Sequence, residues 1–172
     1  MDKLFESLSK DHDIIIITGN YDEMVKGFLS RYINIPWIRF QHVLSHVKSN
    51  LSRYGMLKYV TEIFAQPAIV TDDGKFNVCS IPKKWGGPCK AITAGRQICK
   101  VAVLKHYLQS HQYEKIVFAG DGSNDICLSL FLGSEDVIFP RVGYKLVELL
   151  EQHCVQAKVI AWKDGFDVMK HI

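Results

Sequence analysis

The chain has 172 residues, 48% of them apolar and 23% charged, with a formal net charge of +3. That length holds one domain, or one domain plus a small excursion, and the apolar share is ample for a packed core. The charge is too mild to argue for nucleic acid, and no apolar run approaches the ~20 residues needed to cross a bilayer, so neither is expected as a partner. A small anionic ligand fits the charge balance without being required by it.

The first residues, MDKLFESLSKDHD, are polar and acidic, unlike a secretory signal or a transit peptide. Five cysteines, an odd number, then point to a reducing compartment and a cytoplasmic protein. Cys79, Cys89 and Cys99 fall ten apart, which is not the spacing of a CxxC zinc pair, and read as ordinary thiols.

Leu4 to Leu8 reads as the end of a helix. Ile14, Ile15, Ile16 and Ile17 make a strand buried on both faces, as in a parallel sheet. Thr18-Gly19-Asn20 is a small polar loop, and Tyr21 to Tyr32 continues as a helix with Met24, Phe28 and Leu29 on one side. Pro36 breaks the chain. Val43, Leu44, Val47 and Leu51 recur at helical spacing, predicting a helix over 41–54. His42 and His46 on that helix lack a third ligand at matching spacing and read as a solvated face. An apolar stretch from Met56 to Phe64 leads to Pro67.

Ala68–Val70 and Phe76–Cys79 flank Thr71-Asp72-Asp73-Gly74-Lys75, a hairpin signal. Residues 81–96 are irregular and rich in proline and glycine, and a loop that long is usually functional or disordered. Ile98, Val101, Leu104 and Leu108 make the apolar stripe of a helix ending near Ser110. Lys100 lies near its start, where a cation gains nothing from the helix dipole; it is either a surface lysine or one placed there for a task. Then come a strand at 116–119, a short helix at 126–132 and a strand at 136–139 cut by Pro140. An amphipathic helix at 144–153, a short strand at 159–162 and a closing helix at 166–171 complete the chain. Strands alternating with helices predict an α/β fold, Rossmann-like, with a mainly parallel sheet and no linker that would divide it.

The stretch KIVFAGDGSND, from Lys115 to Asp125, is the most informative. A buried strand turns abruptly into Gly-Asp-Gly, and Asp121 and Asp125 follow with Asn124 between them. Carboxylates at the C-terminal end of a parallel strand are how open α/β sheets build ligand sites. Mg²⁺ suits them because it prefers oxygen ligands. The alternative is an Asp-Gly turn whose side chains only cap the next helix. Parallel strands in one sheet would bring Thr18 and Asn20 to the same edge as Asp121, Asn124 and Asp125, with Lys100 beside them. A hydroxyl, an amide, an ammonium and two carboxylates suit a magnesium ion and a phosphate.

These parts, in this order, resemble the haloacid dehalogenase superfamily of phosphatases. GDGSND at 120–125 is similar to its fourth, Mg²⁺-holding motif, IIIIT at 14–18 to its second, and Lys100 in CKVAVL to its third. The closer resemblance is to the PHOSPHO group, carried by the stretch from Gly120 to Leu150, including DVIFPRVGYKL, and by EIFAQPA at 62–68 and AWKDG at 161–165. It is good over 56–172, weaker over 11–32 and absent over 33–55, which read as an insertion in a single domain. The resemblance implies a Mg²⁺-dependent phosphatase of small phosphorylated metabolites such as phosphoethanolamine, phosphocholine or pyridoxal phosphate. It implies metal binding by Asp121 and Asp125, and catalytic roles for Lys100 and Thr18. Thr18, Gly19, Asn20, Lys100 and Asn124 would hold the substrate.

Two features depart from the family. Its second motif usually has Asp after the Ser or Thr, where this chain has Gly19. Its nucleophile motif, DxDx[TV], is not found. Asp11-His12-Asp13 has the spacing, but it precedes the isoleucine run, roughly 5 residues at ~3.3 Å each from Thr18. The motif and the cap that follows it would lie before Met1, leaving the core incomplete at its N-terminal strand. The strands at 14 and 116 would then either expose unpaired edges or pair directly. The expectation is a truncated phosphatase with weak or no activity; the alternative is a non-catalytic phosphate-binding or regulatory relative. A response-regulator or nucleotide-binding domain is a third reading, without GxGxxG or GxxxxGK[ST] to carry it. The sequence leaves the oligomeric state open.

Overall fold

A computed structural model describes residues 2–18, 57–65, 68–70, 76–85 and 98–172. The predicted helices over 21–32 and 41–54, the insertion at 33–55 and most of the loop at 81–96 lie outside the described residues, as do Gly19 and Asn20.

The described chain is α/β, with short parallel strands. Helix α1 (Asp2–Leu8) precedes strand β1 (Ile15–Thr18). Strand β2 (Glu62–Ala65) runs parallel to it, Ile15 opposite Glu62 and Thr18 opposite Ala65. The sequence reading took β2 only as part of an apolar stretch; a four-residue strand is too short to show a period. The hairpin is present, β3 (Ala68–Val70) pairing antiparallel with β4 (Phe76–Val78). Helix α2 spans Lys100–Tyr107. Ile98, expected on its stripe, precedes it, yet is buried in the core.

Among the described residues, the second half holds the larger sheet. Strands β5 (Val117–Gly120), β6 (Val137–Pro140) and β7 (Lys158–Val159) are parallel, with β6 in the middle. Helices α3 (Ile126–Phe131) and α4 (Lys145–Glu151) connect them, and α5 (Gly165–Met169) closes the chain. Pro140 does not cut its strand. It is the last residue of β6, buried opposite Gly120, and its carbonyl accepts the Trp162 N–H at 3.1 Å. A proline lacks only the donor, and here the strand needs its acceptor.

β6 shows why a strand covered on both faces reads as a continuous apolar run. Ile138 packs with Leu104 of α2, Leu128 of α3, Leu132 just after that helix, and Leu146 and Leu150 of α4. Val137 and Phe139, alternating to the other face, pack with Leu4 of α1 and Val168 of α5. On the other sheet, Ile15 and Ile17 of β1 pack both on that first cluster and on Ile98, Val103 and Tyr107.

One sheet holding both β1 and β5 was expected; among the described residues they belong to separate sheets. They still start at the same end. The Tyr113 hydroxyl, just before β5, donates to Asp13 Oδ2, just before β1. Tyr107, at the far end of α2, shares a 3.0 Å hydrogen bond with the Tyr113 hydroxyl. Lys100, at the near end, reaches the loop after β5. Helix α2 therefore runs against both strands, and their C-terminal ends face the side where Lys100 sits.

Candidate functional site

The chain leaves β5 at Gly120 and turns through Asp121 and Gly122 into a short 3-10 turn, Ser123–Asp125, that leads into α3. Asp125 organises this loop. It is almost wholly buried, and one carboxylate oxygen takes the Lys100 ammonium in an ion pair. The other accepts the backbone N–H groups of Asp121 and Gly122, each at 2.9 Å. Two desolvated charges are stable together only with close geometry and further hydrogen bonds, and the two amides supply those. Asp125 occupies the cap position of α3, but its carboxylate makes no capping bond to that helix. It faces back into the loop instead. Ser129, fully buried in α3, donates to the Asp125 carbonyl at 3.0 Å.

Glycine at 120 is a steric requirement. A Cβ there would lie 2.8 Å from Asp125 Cγ and Oδ2 and from the Phe118 ring. Asn124 is half-buried and leans over Gly122, where a Cβ would lie 2.6 Å from its Oδ1.

Asp121 is the opposite of Asp125: its side chain is exposed and its backbone is held on all sides. The N–H groups of Asp121 and Gly122 go to Asp125. The carbonyl of Gly120 accepts the Arg141 N–H at 3.0 Å, and the carbonyl of Asp121 accepts the Leu146 N–H at 2.9 Å. Both peptide planes flanking Asp121 are thus fixed at both polar atoms. Among the described residues, no hydrogen bond engages its carboxylate.

The structure brings Lys100, Asp121, Asn124 and Asp125 together. Thr18 is half-buried at the end of β1, on the side of the fold where α2 begins. None of the loop's hydrogen bonds involves it among the described residues. Asp13 is at the other end of β1, taken up by Tyr113 and by the Thr61 hydroxyl at 3.2 Å. The Tyr113 bond holds its carboxyl below the usual carboxylate value, with Thr61 and His111 helping and burial opposing. Desolvation, and then the bond to Asp13, push the Tyr113 phenol up.

For a metal, the donor set is narrow. Among the described residues no three His, Cys, Asp or Glu side chains gather to enclose one. Asp125 is committed to Lys100, and the carbonyls of Gly120 and Asp121 are committed to amides. Asp121 remains. That fits Mg²⁺, which is commonly held by one or two carboxylates while water and phosphate oxygens supply its other ligands. The loop's support from Arg141 and Leu146 was missed by residue-level reading, although the phrase FPRVGYKL that supplies it was singled out for its resemblance.

The family model described as Putative Phosphatase matches residues 44–172. The phosphoethanolamine/phosphocholine phosphatase of Gallus gallus is 25% identical over 178 positions, covering 100% of this chain and 59% of the relative. The pyridoxal phosphate phosphatase PHOSPHO2 of Homo sapiens is 30% identical over 121 positions, covering 64% of this chain and 48% of the relative. The chain thus spans about half the length of the curated relatives it matches. No solved structure matches it significantly.

Proposed function

The chain belongs to the Putative Phosphatase family, among haloacid dehalogenase-type phosphatases of the PHOSPHO group, and on that premise we propose that it carries the phosphate-handling part of a Mg²⁺-dependent phosphomonoester hydrolase site. One observation carries the reading: a buried lysine–aspartate pair whose carboxylate also fixes the amides around an exposed aspartate at the end of a parallel strand. Asp121 would ligate the metal, and Asp125 would hold the loop and Lys100 in place behind it. Lys100, with donors beyond the one used on Asp125, Thr18, Gly19, Asn20 and Asn124 would face the phosphate. The metal would neutralise phosphoryl oxygens and help align them. The substrates are small phosphorylated metabolites of the kind the relatives' names record: phosphoethanolamine, phosphocholine or pyridoxal phosphate. A cytoplasmic setting suits the odd cysteine count; among the described residues no helix is long and apolar enough to cross a membrane.

The test is phosphate release from these three esters by the 172-residue chain with Mg²⁺. Release that chelation abolishes and Asp121→Asn removes supports hydrolysis. No release, but Mg²⁺-dependent binding of inorganic phosphate by calorimetry, supports the second reading, a phosphate-binding or regulatory relative without turnover. Asp125 is neutralised by Lys100, which leaves Asp121 to serve the metal under either reading. If neither Mg²⁺ nor phosphate binds, both readings fall.

A further inference from the structure

The turn between β6 and α4 grips the Asp121 loop from outside. Its first residue, Arg141, gives its N–H to Gly120, and Leu146, near the turn's exit, gives its N–H to Asp121. Tyr144 N–H returns to the Arg141 carbonyl at 3.2 Å, and Gly143 takes a positive φ of 80° to make the turn. The Val142 N–H donates to the Trp162 carbonyl at 2.9 Å. The Arg141 guanidinium lies over the Tyr144 ring at 4.7 Å and over the Trp162 ring at 5.5 Å. Among the described residues no carboxylate pairs with it. A half-buried guanidinium held by two aromatic rings binds the turn to the chain after β7 through cation–π attraction.

We propose that Arg141 is a positioning residue for Asp121. Clipped over Tyr144 and Trp162, it locks the 141–146 turn in the shape that presents two N–H groups to the carbonyls on either side of the Asp121 Cα. Asp125 holds the two amides of the same peptide planes. The direction of the exposed Asp121 carboxylate is set by both grips together. This rests on Asp121 being a metal ligand, and residues that support metal ligands without touching the metal have characteristic effects on affinity.

The experiment uses the 172-residue chain with Arg141→Ala, Arg141→Lys and Asp121→Asn. Mg²⁺ affinity is read by calorimetry, amide hydrogen exchange by residue, and unfolding by denaturant. Arg141→Ala leaves both N–H donors in place and acts only through the turn, so it is expected to weaken Mg²⁺ binding by about tenfold, the low end for groups that support a ligand, and to speed exchange at Leu146 with the unfolding midpoint little changed. Asp121 and Gly122 amides, held by Asp125, should stay protected. Arg141→Lys should recover part of the loss, since a compact ammonium can sit over one ring but does not span both. Unchanged Mg²⁺ affinity with unchanged Leu146 exchange overturns the proposal. So does exchange that rises equally throughout the chain, which is the mark of a purely structural role. If the unaltered chain binds no Mg²⁺, the metal reading fails, and Leu146 exchange alone decides: faster exchange in Arg141→Ala upholds the clip, and unchanged exchange refutes it.

Discussion

Asp125 and Asp121 stand four residues apart and do opposite work. One is dry and bound to a cation and two amides; the other is wet, its side chain unbound among the described residues. The difference comes from which way each points, inward beneath Gly120 or outward from the loop. Removing one partner of a buried pair strands the other charge, so Lys100→Met and Asp125→Asn should each destabilise the chain by about 3–5 kcal/mol in chemical denaturation. The double variant should lose less than the sum, because no unpaired charge is left behind. An additive double variant would show that the two side chains are not coupled.

The elements are tied at both ends of β5, by different chemistry. At its C-terminal end the Lys100–Asp125 pair joins it to α2; at its N-terminal end Tyr113 joins Asp13 ahead of β1, with Tyr107 behind it. Tyr107, His111 and Tyr113 stack nearly parallel there, the Tyr107 and His111 rings at 4.1 Å. Because folding lowers the Asp13 pKa below its usual 3.8, this link adds stability above that pH and loses it as pH falls below. The raised Tyr113 pKa adds stability below 10.0 that is lost as pH rises beyond it. Tyr113→Phe removes the largest cause of the Asp13 shift. Its unfolding midpoint should therefore drop relative to the unaltered chain at neutral pH, and the gap should narrow below pH 3.8. A gap independent of pH would mean that the hydroxyl acts by packing alone.

At the scale of the whole molecule, the two parallel sheets among the described residues differ in depth. Every residue of β6 is buried between flanking strands and covered on both faces, whereas every residue of β1 is half-buried. Opening free energy follows local burial. Amides of β6 should therefore exchange slowest, near the rate of global unfolding, and those of β1 faster. If β1 exchanges as slowly as β6, the two sheets open as one unit and the difference in burial does not set their local stability. Helix α2 is the common element. Leu104 packs in one cluster, Val103 and Tyr107 in another, and Ile15 and Ile17 of β1 touch both.

Sequence by itself determined the class and order of elements in the second half. Continuous apolar runs for strands and leucines at helical spacing are local signals, and 116–169 carries them without interruption. The same reading picked out Lys100, Asp121, Asn124 and Asp125 from their order along the chain and the family resemblance it carries, since the Gly-Asp-Gly turn alone left a helix cap equally open. Tertiary structure decided the rest. EIFA became a partner for IIIT only by pairing across 43 residues or more of chain, which no local period can announce. The two aspartates parted roles through contacts with Lys100 and with backbone amides. Arg141 gained its place from Trp162, a neighbour through the β6–β7 register and not through sequence. Local patterns are written by backbone propensity and burial, but hydrogen bonds to a loop depend on which segments the sheet brings side by side.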